Sequence, residues 1–193
     1  MAFYKDERLA LFIDGANLYS AARGLNLEID FRKLLTEFRN KGRLLRANYY
    51  TTIVESDDYS PIRPLVDWLA YNGFNVIKKP AREFTDRDGR RRVRGSMNIE
   101  LAVDMLEAAN TLDHIVLFSG EGDFRRLVEA VKAKGVRVTV ISTVKSQPQV
   151  ISDDLRREAD VFIDLADMAD LIARPRRDTD DRANPVTEDD YED

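Results

Sequence analysis

Three carboxylates fall where a chain can present them to one shared site: Asp14 in Phe-Ile-Asp-Gly-Ala-Asn, and Glu121 and Asp123 in Leu-Phe-Ser-Gly-Glu-Gly-Asp-Phe. Each group stands directly after a short apolar run, and Gly15, Gly120 and Gly122 leave room for close approach. Carboxylates brought together repel one another unless a cation lies among them. Oxygen donors without His or Cys favour Mg2+ or Mn2+. Such an ion acidifies water and neutralises charge on a phosphate, which suits hydrolysis of a phosphodiester. The competing interpretation is that an Asp-Gly after a strand is only a turn. Two acidic, glycine-punctuated strand ends in one small domain favour the site.

Convergence requires the two apolar runs to be neighbouring strands, and the periodicity of the chain supplies them. Leu9 to Ile13 is continuous and apolar, as in a strand buried on both faces of a parallel sheet. A helix is predicted over Phe31 to Asn40 with Asp30 as its N-cap, and a strand over Leu44 to Val54. Ser60-Pro61 opens a predicted helix through Tyr71, followed by a strand at Phe74 to Ile77. Residues 78–96 break the pattern, with Asp88-Gly89 as a turn between two extended arms. Then come a helix from Met97 to Asn110, a strand from His114 to Ser119 and a helix from Phe124 to Lys134 stopped by Gly135. A strand over Val136 to Ser142, a helix capped by Ser152 and a short strand at Val161 to Ile163 complete the pattern. This alternation predicts an α/β fold, a Rossmann-like, doubly wound, mainly parallel sheet with helices on both faces. In such sheets the ligand crevice lies beyond the carboxyl ends of the strands, where strand order reverses.

Composition narrows the chemistry further. The 193 residues are enough for one domain, and none is cysteine, which excludes disulfides, thiolate zinc sites and cysteine nucleophiles. The single histidine, His114, leaves no His-rich metal site, and it is assigned no catalytic role. The apolar run near the N-terminus is too short for a signal sequence or a membrane span, so a soluble, cytoplasmic protein is expected. The net charge of −5 argues at first against a nucleic-acid partner. Its distribution argues otherwise: residues 174–193 carry four arginines against eight acids, whereas residues 78–96 carry a net +5. A domain over residues 1–173 is expected, followed by an acidic, disordered tail over 174–193.

The runs LFIDGANLY, RGSMNIELAVDMLEAA and LFSGEGDFRRLVEAVKAKGVRVTVIS, followed by LRREADVFIDL, resemble the NYN domain of the PIN-like nuclease superfamily, in its LabA-like branch. The resemblance spans roughly residues 8–165 and implies metal-dependent cleavage of RNA. It implies Asp14 as the first acidic ligand, Asn17 as a polar group near the scissile phosphate, Ser119 as a hydroxyl lining the site and Asp123 as the last acid. Two positions depart from the family pattern. Glu121 stands where the family carries Asp, one methylene longer but still anionic. Asn98 stands where the family usually carries Asp, and an amide adds no negative charge and cannot act as a base. Asp104 and Glu100, on the same helix, are the candidates that compensate, and the alternative for Asp104 is a place behind the site or on the surface.

The basic segment leads into the helix beginning near Asn98, so its root is expected beside the acidic crevice. Arg90, Arg91, Arg92 and Arg94 are the expected phosphate contacts, since Lys and Arg gain affinity by releasing condensed counterions. The alternatives are a solvated hairpin or an arm packed on a second copy in a homodimer. A second basic cluster, Arg39, Lys41, Arg43 and Arg46, is read as complementing a helix dipole. Tyr19 is the candidate base-stacking platform, Trp68 and Phe124 are assigned to the core, and of Tyr49 and Tyr50 one is expected to face inward. The expected function is a ribonuclease acting through Mg2+ or Mn2+, with RNA as partner and no membrane or nucleotide cofactor. The rivals are a catalytically weakened RNA-binding or regulatory module on the same fold and, ranked low, a haloacid-dehalogenase-like phosphatase. The latter calls for an acid two residues after Asp14, where this chain has Ala16.

Overall fold

A computed structural model of the chain describes residues 3–54, 62–85 and 91–175. Seven strands form one sheet: β1 (Arg8–Asp14), β2 (Arg43–Val54), β3 (Asn75–Thr85), β4 (Arg91–Arg94), β5 (His114–Phe118), β6 (Arg137–Ser142) and β7 (Val161–Asp164). Their spatial order is β4-β3-β2-β1-β5-β6-β7. All pairings are parallel except that of β4, which returns antiparallel along β3. Without β4 the order is that of a Rossmann sheet, and it reverses between β1 and β5. The predicted fold class is therefore the observed one.

Strand β1 shows why the apolar runs read so clearly. Leu9, Leu11 and Ile13 enter one core layer, with helices α1 (Gly15–Gly24), α2 (Phe31–Lys41) and α3 (Arg63–Tyr71). Ala10 and Phe12 enter the other, with α4 (Asn98–Ala108), α5 (Arg125–Lys132) and α6 (Asp153–Glu158). A strand covered on both faces favours apolar residues at successive positions. The same geometry corrects the expectation for Tyr49 and Tyr50. They point to opposite faces, yet both are buried, because each face carries its own core. Phe124 is core as expected, while Trp68 is half-buried against the opposite core layer, with the Arg32 guanidinium 5.9 Å from its ring centre.

Helix α1 lies where no helix was predicted. Its inward residues are Gly15, Leu18, Ala21 and Ala22, so the apolar stripe is short of large side chains and the periodicity is faint. The remaining cue was Asp14 itself, whose carboxylate accepts from the Asn17 backbone N–H as the N-cap. The third strand also runs further than Phe74 to Ile77. It continues to Thr85, so the first basic arm extends the outermost parallel strand on that side of the sheet, and β4 is the second arm. The expected turn at Asp88-Gly89 lies outside the described residues. Gly135 has φ +84°, the left-handed conformation expected of its position after α5. A single 3-10 turn (Leu165–Met168) and the short α7 (Ala169–Ile172), neither predicted, close against α2. The ordered chain passes the expected boundary at Ala173, since the Arg174 N–H donates to the Glu28 carbonyl. Residues 176–193 of the expected tail lie outside the described residues.

Among the described residues no helix is long and apolar enough to cross a membrane. His114 is buried at the start of β5, the end of the strand away from Ser119, and its two ring nitrogens lie 3.1 Å from Glu7 Oε2 and 2.8 Å from Thr139 Oγ1. The cluster Arg39, Lys41, Arg43 and Arg46 belongs to the same end, around the close of α2 and the start of β2.

Candidate active site

Beyond the carboxyl ends of β1, β2 and β5 lies a crevice of about 470 Å³ lined by Asp14, Asn17, Tyr50, Thr51, Thr52, Asn98, Glu121 and Asp123, among others. Its position follows from topology: β1 and β5 are adjacent, and the chains leaving them diverge to opposite faces of the sheet.

Asp14 is the best-anchored of the acids. One carboxylate oxygen accepts from the Asn17 N–H at 3.2 Å, and the other accepts from the Ser119 hydroxyl at 3.0 Å. Burial nonetheless pushes its pKa above the usual aspartate value, the two hydrogen bonds opposing that shift. Gly15 is required beside it by close packing, because a Cβ there would stand 2.7 Å from the Tyr49 ring. The Tyr49 hydroxyl is in turn pushed up to about 12, by burial first and by the Asp14 charge second.

The second acidic segment is tied to the first through two side chains. The Gly120 N–H donates to Asn17 Oδ1 at 2.8 Å, and the Glu121 N–H donates to Ser119 Oγ at 3.2 Å. Gly120 permits this close passage, since a Cβ would meet the Val150 carbonyl oxygen at 2.4 Å. Glu121 and Asp123 are both exposed on the resulting loop. The Glu121 carboxyl is pushed up by partial burial, then by the charges of Asp123 and Asp14. The acids thus act on one another electrostatically. Among the described residues, however, no three His, Cys, Asp or Glu side chains stand gathered as a ready-made metal-binding group.

The remaining predicted residues divide. Asn98 lines the crevice at the first position of α4, and its N–H donates to Ser96 Oγ at 3.1 Å. Asn17 lines it with its amide oxygen committed to Gly120, which leaves Nδ2 as its free donor. Ser119 corrects the expectation of a hydroxyl facing substrate: it is 1 % exposed, and its one proton goes to Asp14. Asp104 is not among the lining residues; it sits behind Tyr50, whose hydroxyl donates to it at 2.9 Å. Tyr19 lies outside the crevice, 65 % exposed on another side of α1. Arg91, Arg92 and Arg94 belong to β4, and Gly95 and Ser96, which follow, line the crevice, so the basic segment is rooted there. Arg90 lies outside the described residues. Sequence reasoning missed Tyr50, Thr51 and Thr52 as lining residues. They end the strand beside β1, which the topological rule alone would have indicated.

Fold and site together define a Rossmann-like α/β domain with acids from separate segments facing one switch-point crevice. The chain belongs to the NYN domain family, whose model matches residues 8–168. It is 36 % identical over 181 residues to the low amplitude and bright protein LabA of Synechococcus elongatus, spanning 92 % of this chain and 93 % of that one. A crystal structure of a protein of unknown function from Vibrio parahaemolyticus is similar with a TM-score of 0.68 at 25 % identity, covering 89 % of this chain and 99 % of that one.

Proposed function

We propose that the protein is a metal-dependent ribonuclease that hydrolyses RNA phosphodiester bonds in the crevice between β1 and β5. The observation that carries this reading is that Asp14, Glu121 and Asp123, from two distant segments, share that crevice with the N-terminus of α4. The donors are hard oxygens throughout and fit Mg2+ or Mn2+ in kind. Glu121 and Asp123, exposed on their loop, are the side chains free to turn toward Asp14 and complete the set. When bound, the ion supplies positive charge against the phosphate and acidifies water.

The chain supplies the rest. Asn17 and Ser119 hold the Asp14 carboxylate and the Glu121 loop in register, so the acids stay preorganised. Asn17 Nδ2 donates to a phosphate oxygen. The start of α4, where the Asn98 N–H is taken by Ser96, turns the positive end of its dipole toward the same anion. Arg90, Arg91, Arg92 and Arg94 of the basic segment, which leads into the crevice-lining Gly95 and Ser96, add affinity through counterion release.

One observation favours a second reading, an RNA-binding or regulatory module with weak turnover. Asn98 contributes no charge at the crevice, and the acids are not gathered into a closed group. Incubating labelled RNA with Mn2+ or Mg2+ separates the two. Cleavage by the unmodified protein, abolished in Asp14→Asn, is the expected result. Salt-sensitive binding without cleavage, with cleavage appearing in Asn98→Asp, would establish the second reading and overturn the first.

A further inference from the structure

A second cavity, larger than the acidic crevice, is a groove of about 780 Å³ between the C-terminal half of α1 and the segment around α7, lined by Tyr19, Ala22, Arg23, Asn26, Ala169 and Arg174, among others. Three features give it a chemical character. Its lining is rich in small apolar side chains, Ala22, Ala166, Ala169 and Ala173. Tyr19 also lines it, with 65 % of its surface exposed. Its lining carries two cations against one carboxylate: Arg174 pairs with Glu28 at 3.1 Å, and Arg23 makes no ion pair among the described residues.

The groove and the crevice share a helix. Both are built on α1: Ala16, Asn17 and Ser20 line the crevice, while Tyr19, Ala22 and Arg23 line the groove. Asn17 and Arg23 are separated by about 9 Å along the helix axis. A polyanion leaving the crevice over α1 therefore meets an aromatic ring, small apolar side chains and the Arg23 guanidinium, a combination that suits single-stranded nucleic acid through stacking and a phosphate contact.

Building on the proposed RNA reading, we propose that this groove is a second subsite for the same strand. It takes an unpaired nucleotide beyond the scissile phosphate, with its base on Tyr19 and its phosphate toward Arg23. Substrates with a single-stranded extension are thereby favoured over blunt duplex ends.

The test is fluorescence-anisotropy binding of end-labelled oligouridylate of about 12 nucleotides to the full chain in EDTA, which keeps the strand intact. Tyr19→Ala and Arg23→Ala are expected to weaken binding about five- to tenfold, the lower range of one stacked base. Tyr19→Trp should retain the affinity, and Tyr71→Ala, an exposed tyrosine outside the groove, should leave it unchanged. Equal affinity in Tyr19→Ala overturns the subsite while leaving the RNA reading intact. A gain in affinity overturns it too, because the acidic tail that leaves the groove wall after Pro175 would then be the occupant. Absence of binding by the unmodified chain overturns the subsite, and the cleavage assay with Mn2+ or Mg2+ then decides the RNA reading separately.

Discussion

At the scale of single residues, the Ser119 hydroxyl has its proton committed. Ser119 gives its hydroxyl proton to Asp14 and accepts from Glu121, so it serves the acids and is withdrawn from substrate. Asn17 ties the two segments together, its backbone N–H donating to Asp14 and its side-chain amide oxygen accepting from the Gly120 N–H. His114 illustrates the opposite case, a titratable group in a purely structural setting. Burial first, then the Arg137 charge, push its pKa below 6.5, while Glu7 and Asp160 oppose the shift. The unfolded chain therefore binds a proton that the folded chain resists, and stability falls as pH drops below about 6.5. Since it is the only histidine, chemical denaturation between about pH 5 and 7 should show this slope in the native protein and a shallower one in His114→Gln. An equal slope in both would remove His114 from the account.

At the scale of elements, the site depends on how closely three strand ends and one helix start can approach. Gly120 is the tightest point. A Cβ there would stand 2.4 Å from the Val150 carbonyl oxygen and 2.8 Å from Ser142 Oγ, and backbone cannot step aside as a flexible side chain does. Gly120→Ala is expected to destabilise by about 1–3 kcal/mol, as overpacking does. It should also displace Glu121 and Asp123, so that RNA cleavage drops even at temperatures where the fold persists. Urea unfolding and activity measured on the same preparation check both halves. Activity unchanged beside a clear loss of stability would mean the acidic loop tolerates a shift and is not preorganised. Legibility also differed by element. Strands buried on both faces announced themselves as apolar runs, whereas α1, packing with glycine and alanines, left only its capping aspartate as a sign.

At the scale of the whole molecule, charge is partitioned along the chain. Residues 1–175 hold 27 basic and 27 acidic groups, and residues 176–193 hold three against eight. The last hydrogen bonds that tie the C-terminal segment down come from Lys33 to Ala173 and from Arg174 to Glu28. A chain ending at Pro175 is therefore expected to keep its thermal transition and to bind RNA more tightly at low salt, the difference shrinking as salt is raised. A lowered transition temperature would show that the removed residues contribute to the fold. By itself the sequence determined the alternation of strands and helices, the two glycine-flanked acidic strand ends and the basic segment, because apolar period, turn chemistry and charge are local properties. Only the tertiary structure decided which strands are neighbours, and with them the convergence of Asp14 with Glu121 and Asp123. It also turned Ser119 inward, set Asp104 behind Tyr50, buried both tyrosines of β2 and left Tyr19 beside a separate groove. Those outcomes depend on which face of each element finds a partner, and pairing between residues as much as 105 positions apart is carried by no local stretch of chain.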